Sequence, residues 1–378
     1  MKKDTALYII SDVLNKGIPI LILFYLGVVL DEKDVSKLEL IYVLQGLFIN
    51  VFTFGQLHIY SKYLSYDKIR PSILLMFGPT FIFMIFGILM TSPILFYASL
   101  ASLLQSTYNM TQIYNNIKGE MYNQRLIDIT SGFVYSLVVF ILFKLNLIDY
   151  KLKVLSQVIC LLFILFIFNK LIRKSFQYIS FLINKNYKAS IPFVLISLFQ
   201  WLVLFFDKIA GREILNVEVS NSYFLFSLIT NTGIVLNLSI LKVVRRLLHN
   251  MTEHTINEKI FSLKLYFLFS FTLSIGSSVL GSLVLVFLNK ELSFKLILLN
   301  TFISLLFTVF NYLMAFVIQG TKRIILTKLF MFNINIILVI LSYICIYYLA
   351  NFDIFLLTIV FVLVFMNSFL IKKIKSYA

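Results

Sequence analysis

Asp12 and Lys16 stand four residues apart in the first apolar segment of the chain, with Asn15 between them. On a helix this spacing places the carboxylate and the ammonium on one face, where they can neutralise each other. Because a helix rises 1.5 Å per residue, Lys16 would lie roughly 15 Å into a helix that begins near residue 6. Ionisable groups at such depth in a membrane usually serve a function. Lys16 is therefore a candidate substrate cation or, with Asp12, an ion-coupling switch; a pair that merely lowers the cost of insertion is the alternative.

The composition indicates whether such a helix is surrounded by water or by lipid. Of 378 residues, 60% are hydrophobic and 13% are charged, with a mean hydropathy of +0.94. A soluble domain cannot bury that much apolar surface, which favours a bilayer. The formal net charge of +16 would suggest nucleic acid as a partner for a soluble protein. Here the basic residues form short clusters between apolar runs, which is typical of membrane orientation, and no nucleic-acid partner is expected.

Hydropathy over a window of about 19 residues predicts twelve transmembrane helices and thus an all-α polytopic membrane protein. The predicted spans are 6–29, 39–61, 72–90, 93–116, 127–147, 152–171, 190–207, 220–243, 264–288, 294–317, 324–349 and 353–371. The span 93–116 is rich in Asn and Gln, so it is expected to be lined by protein or to face a cavity.

The placement of basic residues predicts the orientation. With the N-terminus in the cytoplasm, 23 of the 33 Lys and Arg residues lie in cytoplasmic segments and 9 in outer ones. This asymmetry favours both termini in the cytoplasm. No predicted connection is long enough for a soluble catalytic domain, and no P-loop or metal-binding His/Cys cluster occurs. No enzymatic activity, cofactor or metal is therefore expected.

An internal repeat divides the predicted spans into two sets of six. "GIPILILFYLGVVL" from Gly17 aligns with "SIPFVLISLFQWLV" from Ser190, so that Pro19 matches Pro192. The predicted domains are residues 1–175 and 176–378, two parallel six-helix bundles around a central cavity that alternates between inward-open and outward-open states. Both prolines are candidate hinges because proline kinks a helix interior. Pro192 is also explained as an ordinary helix-start proline.

At this point the sequence resembles a known family. The seventh span closes with "FFDK" and the eighth opens with "NSYFLFSLITN". Together with twelve spans and an early proline in spans one and seven, these residues are similar to the O-antigen (Wzx-type) polysaccharide flippases of the multidrug/oligosaccharidyl-lipid/polysaccharide exporter superfamily. The chain departs from the family pattern at Ser222, where a glycine usually precedes the tyrosine.

The resemblance implies a flippase that moves undecaprenyl-diphosphate-linked oligosaccharide from the cytoplasmic to the periplasmic leaflet without ATP. It implies alternating access coupled to H⁺ or Na⁺, contact with membrane lipids, and cooperation with polysaccharide polymerase machinery. It also suggests a periplasmic gate at Asp207 and Lys208. A solvated carboxylate beside a snorkelling lysine is the structural alternative for this pair.

Carrying a diphosphate and sugars through hydrocarbon requires cations, amides and aromatic rings in the cavity. The candidates, with Asp12, Asn15 and Lys16, are Asn50, Gln200, Trp201 and Asn231. Amides in such positions also serve as interhelical hydrogen bonds, and a tryptophan packs equally well against core or lipid. Lys242, Arg245 and Arg246 share one helical face and form a predicted basic mouth, for a diphosphate or for anionic lipid.

Two further functions stay open. A multidrug exporter of the same superfamily would favour acidic cavity residues for cationic substrates, which the basic balance of this chain disfavours. A polysaccharide polymerase would be expected to carry a long basic outer loop, and none of the predicted connections is long enough.

Overall fold

The computed structural model describes residues 2–53, 55–57, 60, 71–118, 121–180, 190–249, 264–319 and 321–375. Over those residues the chain is almost entirely helical, and no strand is formed. Several helical side chains lie outside the described part of the chain, among them Asp12, Asn15, Lys16, Lys242, Arg245 and Arg246.

The first part of the chain builds eight helices within the described residues. They are α1 (Lys2–Val29), α2 (Glu32–Asn50), α3 (Ile73–Leu89), α4 (Pro93–Lys118), α5 (Met121–Lys144), α6 (Lys151–Ile167), α7 (Asn169–Phe176) and α8 (Ile191–Leu204). Local residues define their ends: the Asp31 carboxylate accepts from the Asp34 N–H at 2.8 Å and caps α2. Between α6 and α7 the chain bends by 84°.

The second part continues with helices of similar length. They are α9 (Phe206–Ile214), α10 (Val217–His249), α11 (Lys264–Phe287), α12 (Phe294–Gln319), α13 (Thr321–Ile344) and α14 (Phe352–Lys375). A π-helical turn, Cys345–Leu349, ends α13, and Ala350 follows it in the left-handed conformation with φ 45°.

Each of the twelve predicted spans falls on one or more of these helices, so the predicted all-α membrane fold is confirmed. Seven helical segments of the described chain, one of them formed by α8 and α9 together, are long and apolar enough to cross a membrane, or eight if the bent α6–α7 pair counts as one span. Many Phe, Leu and Ile side chains on them are exposed, Phe287 at 86% and Phe166 at 77%. Exposed apolar surface of this extent is a lipid-facing surface in a multi-pass membrane protein.

Contacts between helices divide the chain into two compact units. One comprises Ile10–Phe205, and the other comprises Phe206–Ala378 together with Met1–Ile9. The dividing point is the break between α8 and α9, thirty residues after the predicted boundary at residue 175. The six-plus-six repeat itself stays a prediction.

Within the first unit, α4 is the central helix. It packs against α2, α3, α5, α6 and α7, and from Ile94 to Ile117 no described side chain is exposed. This confirms that the polar span 93–116 is lined by protein. Within the second unit, α10 packs against α9, α11 and α12, and α14 packs against α9, α12 and α13.

Candidate functional site

Asp207 and Lys208 form a buried ion pair at the start of α9. Their residues are 4% and 1% exposed, and Lys208 Nζ donates to Asp207 Oδ1 at 3.0 Å and Oδ2 at 3.2 Å. The predicted span ends at residue 207, whereas α9 continues to Ile214. The pair therefore lies inside helical structure, and the alternative of a solvated carboxylate beside a snorkelling lysine is not what the structure has.

Tyr223 joins this pair from the second turn of α10. Its hydroxyl donates to Asp207 Oδ2 at 2.7 Å and accepts from Asn300 Nδ2 of α12 at 2.9 Å. The Thr230 hydroxyl, about two turns further along α10, lies 3.0 Å from Asn300 Oδ1 and can donate to it. We call these five residues, Asp207, Lys208, Tyr223, Thr230 and Asn300, the Asp207 cluster.

Aromatic rings enclose the Asp207 cluster on one side. The Tyr223 and Phe352 rings pack edge to face with centroids 4.9 Å apart, and Phe355 stacks against Phe352 at 5.9 Å. Phe206 contacts Phe355 at 6.2 Å. These rings keep the local dielectric low, so attraction within the ion pair is strong and exposure of either charge alone is costly.

The cluster is held in a neutral, hydrogen-bonded state that a small change can unbalance. The Asp207 carboxylate accepts from an ammonium and a phenol, and the phenol is in turn fixed by the Asn300 amide. A proton or Na⁺ arriving at the carboxylate would compete with Lys208 for the same oxygens. An anion arriving at the ammonium would compete with Asp207.

A second buried cluster lies in the first unit around Asp128. Asp128 Oδ1 accepts from Tyr108 at 2.5 Å, Gln112 at 3.2 Å and Gln124 at 2.7 Å, and Asn115 donates to Gln124 at 3.1 Å. Asp128 is 1% exposed and lies seven residues inside α5. The predicted span 127–147 places Asp128 at its start, whereas α5 already begins at Met121. The i, i+4 spacings of Tyr108 with Gln112 and of Gln124 with Asp128 are the signal that indicates this cluster.

Lys153 is a buried basic residue of the first unit. It is 6% exposed, and its ammonium donates to the Gln45 side-chain oxygen. The bonds continue from Gln45 to Gln157 at 3.2 Å, to Gln105 at 3.2 Å and to Asn109 at 3.1 Å. By sequence, Lys153 counts among the outer basic residues, at the very start of the predicted span 152–171, so its burial was not predicted. We call this chain of side chains the amide ladder.

The other predicted cavity residues are dispersed over the helices. Trp201 is 8% exposed, and its indole N–H donates to the Val43 carbonyl at 3.2 Å. Asn50 donates to the Gly46 carbonyl at 2.8 Å. Gln200 and Asn231 are half-buried on α8 and α10. Their part in a substrate cavity stays a prediction.

The two predicted hinge prolines differ in position. Pro19 lies in the interior of α1, whereas Pro192 lies in the first turn of α8, where a missing N–H costs nothing. A hinge at either residue stays a prediction. Asp12, Asn15 and Lys16 lie on α1, and Lys242, Arg245 and Arg246 on α10, but their side chains are outside the described part of the chain.

No protein-family model and no curated protein sequence matches the chain. Solved structures do. A multidrug resistance MATE family transporter of the MOP superfamily, in an outward-facing conformation, matches with a TM-score of 0.54 and 13% identity over 100% of this chain and 96% of its own. A Vibrio cholerae MATE transporter matches with a TM-score of 0.56 and 11% identity over 99% and 94%.

A MOP superfamily transporter from Pyrococcus furiosus matches with a TM-score of 0.55 and 13% identity over 100% of this chain and 96% of its own. The fold is that of the MATE transporters. This agrees with the superfamily that the sequence resembles. At these identities the likeness establishes the fold and leaves the substrate open.

Proposed function

We propose that this protein is a secondary transporter that flips a lipid-linked oligosaccharide from the cytoplasmic to the periplasmic leaflet of a bacterial inner membrane by alternating access. The MATE-like fold supports a transport function, because the similar solved structures are named as transporters and one of them is in an outward-facing conformation. It supports a transporter over an enzyme, and in particular over a polysaccharide polymerase.

One observation supports the resemblance on which the choice of substrate rests. The resemblance to polysaccharide flippases rests on "FFDK" at 205–208 and "NSYFLF" at 221–226. In the structure these two segments meet, because Tyr223 of the second donates to Asp207 of the first. Residues that are distinctive in sequence thus belong to one buried cluster, which supports a shared role for them. If Asp207 and Tyr223 were unrelated polar residues, no contact between them would be expected.

Multidrug export is the second candidate, and the comparisons favour it over saccharide flipping. One similar structure is named as a multidrug resistance transporter. Another superfamily member, from Pyrococcus furiosus, is described by a binding pocket of reversed polarity that suggests a different function. Members of this fold therefore need not share a substrate charge, and charge is the property that separates the two candidates here.

The remaining parts of the proposal concern partners and placement. Both termini would lie in the cytoplasm, as the distribution of Lys and Arg indicates. The coupling ion would be H⁺ or Na⁺, for which the Asp207 carboxylate is a suitable acceptor. The translocated saccharide would pass to polysaccharide polymerase machinery on the outer side.

Deletion of the gene in the host, followed by complementation, tests this function. We expect loss of surface polysaccharide, accumulation of lipid-linked repeat units on the cytoplasmic side, and recovery with the wild-type chain. Normal surface polysaccharide in the deletion strain contradicts saccharide flipping. If that strain instead accumulates cationic dyes and becomes sensitive to cationic drugs, multidrug export is the function.

A further inference from the structure

The amide ladder has a direction that chemistry fixes. A lysine ammonium can only donate, so the Gln45 oxygen must face Lys153 and the Gln45 nitrogen must donate onward. The same constraint passes to Gln157 and Gln105, each of which accepts on its oxygen and donates from its nitrogen. Asn109 accepts the last bond on Oδ1. Every amide dipole in the chain therefore has its negative end toward Lys153.

The charge at the head of the ladder is not balanced by an acid. In the part of the chain that the structure describes, no carboxylate lies within ion-pair distance of Lys153 Nζ. Lys153 is also the third residue of α6, so the positive end of that helix adds to its potential. Buried charges are normally paired, because an isolated one is costly. Four aligned amides reduce this cost, and no described carboxylate balances the ammonium.

The amide ladder extends from a buried group, Lys153, to a more accessible one, Asn109. Lys153 and Gln45 are buried at 6% and 5% exposure, whereas Gln157, Gln105 and Asn109 are half-buried. The Asn109 amide nitrogen has no hydrogen-bond partner among the described residues and is not enclosed by them. Because the hydrocarbon of a membrane supplies no acceptor, such a donor is available to a polar ligand.

We propose that the amide ladder is a binding site for an anionic phosphoryl group, with Asn109 as the contacting donor and Lys153 as the source of charge. The aligned dipoles strengthen the Asn109 donor, because each hydrogen bond in a chain polarises the next. The phosphoryl oxygens supply the negative charge that no described carboxylate provides near Lys153. This inference deepens the proposed function by assigning part of a diphosphate to named side chains of α2, α4 and α6, and it rests on that function for the identity of the ligand.

The decisive variant is Gln45→Glu. It keeps the size of the side chain and places a carboxylate on the Lys153 ammonium, so the charge is balanced internally and the fold is preserved. Inorganic pyrophosphate is titrated onto the full chain purified in an uncharged detergent, with thermal denaturation and calorimetry as readouts. We expect pyrophosphate to raise the Tm of the wild type and to bind Gln45→Glu at least about tenfold more weakly, as for the loss of a charge-assisted contact.

Two more variants separate binding from structure. Lys153→Gln removes the charge and should weaken pyrophosphate to the same degree as Gln45→Glu. Lys151→Gln removes an equal charge two residues away, from a side chain near Asp149, and should bind pyrophosphate like the wild type. Equal pyrophosphate affinity of folded Gln45→Glu and the wild type overturns the proposal, as does equal loss in all three variants.

The source of the phosphoryl group is decided with nanodiscs of phosphatidylcholine, with and without phosphatidylglycerol. If a lipid headgroup occupies the site, phosphatidylglycerol raises the Tm of the wild type but not of Gln45→Glu, and pyrophosphate competes with it. If the ligand is a soluble or lipid-linked diphosphate, pyrophosphate acts equally in both nanodiscs. If neither pyrophosphate nor phosphatidylglycerol changes the Tm of the wild type, the site is overturned, even where complementation succeeds. If the Tm responds but the chain fails complementation, the site stands and the proposed function does not.

Discussion

Tyr223 donates a hydrogen bond of 2.7 Å to Asp207 and thereby fixes the start of α9 against the second turn of α10. The same hydroxyl accepts from Asn300, so one oxygen atom connects three helices. Because all three residues are buried, the hydroxyl cannot be replaced by water without rearrangement. Tyr223 is therefore the residue at which the Asp207 cluster is most directly tested.

Tyr223→Phe should destabilise the protein and impair transport. It leaves one acceptor bond of Asp207 and the Asn300 amide unsatisfied, which costs about 1–3 kcal/mol for a buried polar group. The measurement is the Tm of the purified protein together with complementation at equal protein level. Tyr312→Phe is the matched control, since Tyr312 shares a hydrogen bond of 2.8 Å with Ser270 in the same unit but lies outside the Asp207 cluster. We expect Tyr312→Phe to lower the Tm by a similar amount and to complement normally; equal complementation by both variants contradicts a functional role for Tyr223.

Removal of one charge from the Asp207–Lys208 pair should be far worse than removal of both. Asp207→Ala leaves the ammonium of Lys208, which is 1% exposed, without its carboxylate. Breaking a buried pair in this way costs about 3–5 kcal/mol, so we expect little folded protein in the membrane. The measurement is the yield of monodisperse protein after detergent extraction.

The double variant Asp207→Asn with Lys208→Met separates folding from function. Replacement of a buried pair by neutral groups of similar volume is often neutral for stability, so monodisperse protein should return. Transport should stay absent if the pair exchanges partners with an ion or a substrate. A folded double variant that complements fully would show that the pair has a structural role alone.

Much of the fold follows from the sequence for a simple reason. The length of an apolar run sets the length of a membrane helix, and its polar content sets whether lipid or protein surrounds it. The span 93–116 illustrates this, because its amides required protein on all sides and α4 is the central helix of its unit.

The candidate site was less predictable because hydropathy counts charges without their partners. Asp207 and Lys208 read as the end of a span, yet the neutralised pair allows the helix to continue to Ile214. Lys153 reads as an outer lysine, yet amides from α2, α4 and α6 accommodate it in the interior. The sequence gives the face of each residue on its own helix, but the rotation of that helix against its neighbours comes from packing.

Asp128 should be essential for the stability of the first unit. Tyr108, Gln112 and Gln124 all donate to its carboxylate, so Asp128→Ala leaves several buried donors unsatisfied at about 1–3 kcal/mol each. We expect a large drop in Tm, with partial recovery in Asp128→Asn, which keeps one acceptor oxygen. Glu213→Ala, at an exposed residue of α9, is the control and should leave the Tm unchanged. A wild-type Tm for Asp128→Ala would mean that the hydrogen bonds around it contribute nothing.

Gly87 and Gly78 lie on the same helix, α3, and should respond oppositely to alanine. A Cβ atom at Gly87 would lie 2.6 Å from the backbone N and 2.9 Å from the Cα of Phe96, on the next helix. The Gly87 carbonyl also accepts from the Ser92 N–H at 2.8 Å, in the tight connection where Thr91 has φ 50°. Neither backbone can move without opening the α3–α4 hairpin.

We therefore expect Gly87→Ala to destabilise the protein by about 1–3 kcal/mol, the usual cost of overpacking. At Gly78 a Cβ atom meets no atom within 4 Å, so Gly78→Ala should be neutral or more stable by up to about 1 kcal/mol through helix propensity. Thermal unfolding of both variants in one detergent, followed by helical circular dichroism, is the measurement. Because the two substitutions share chemistry, helix and unit, a difference in Tm between them isolates the contact with Phe96, and equal Tm values would mean that α3 and α4 do not approach as closely as the structure has them.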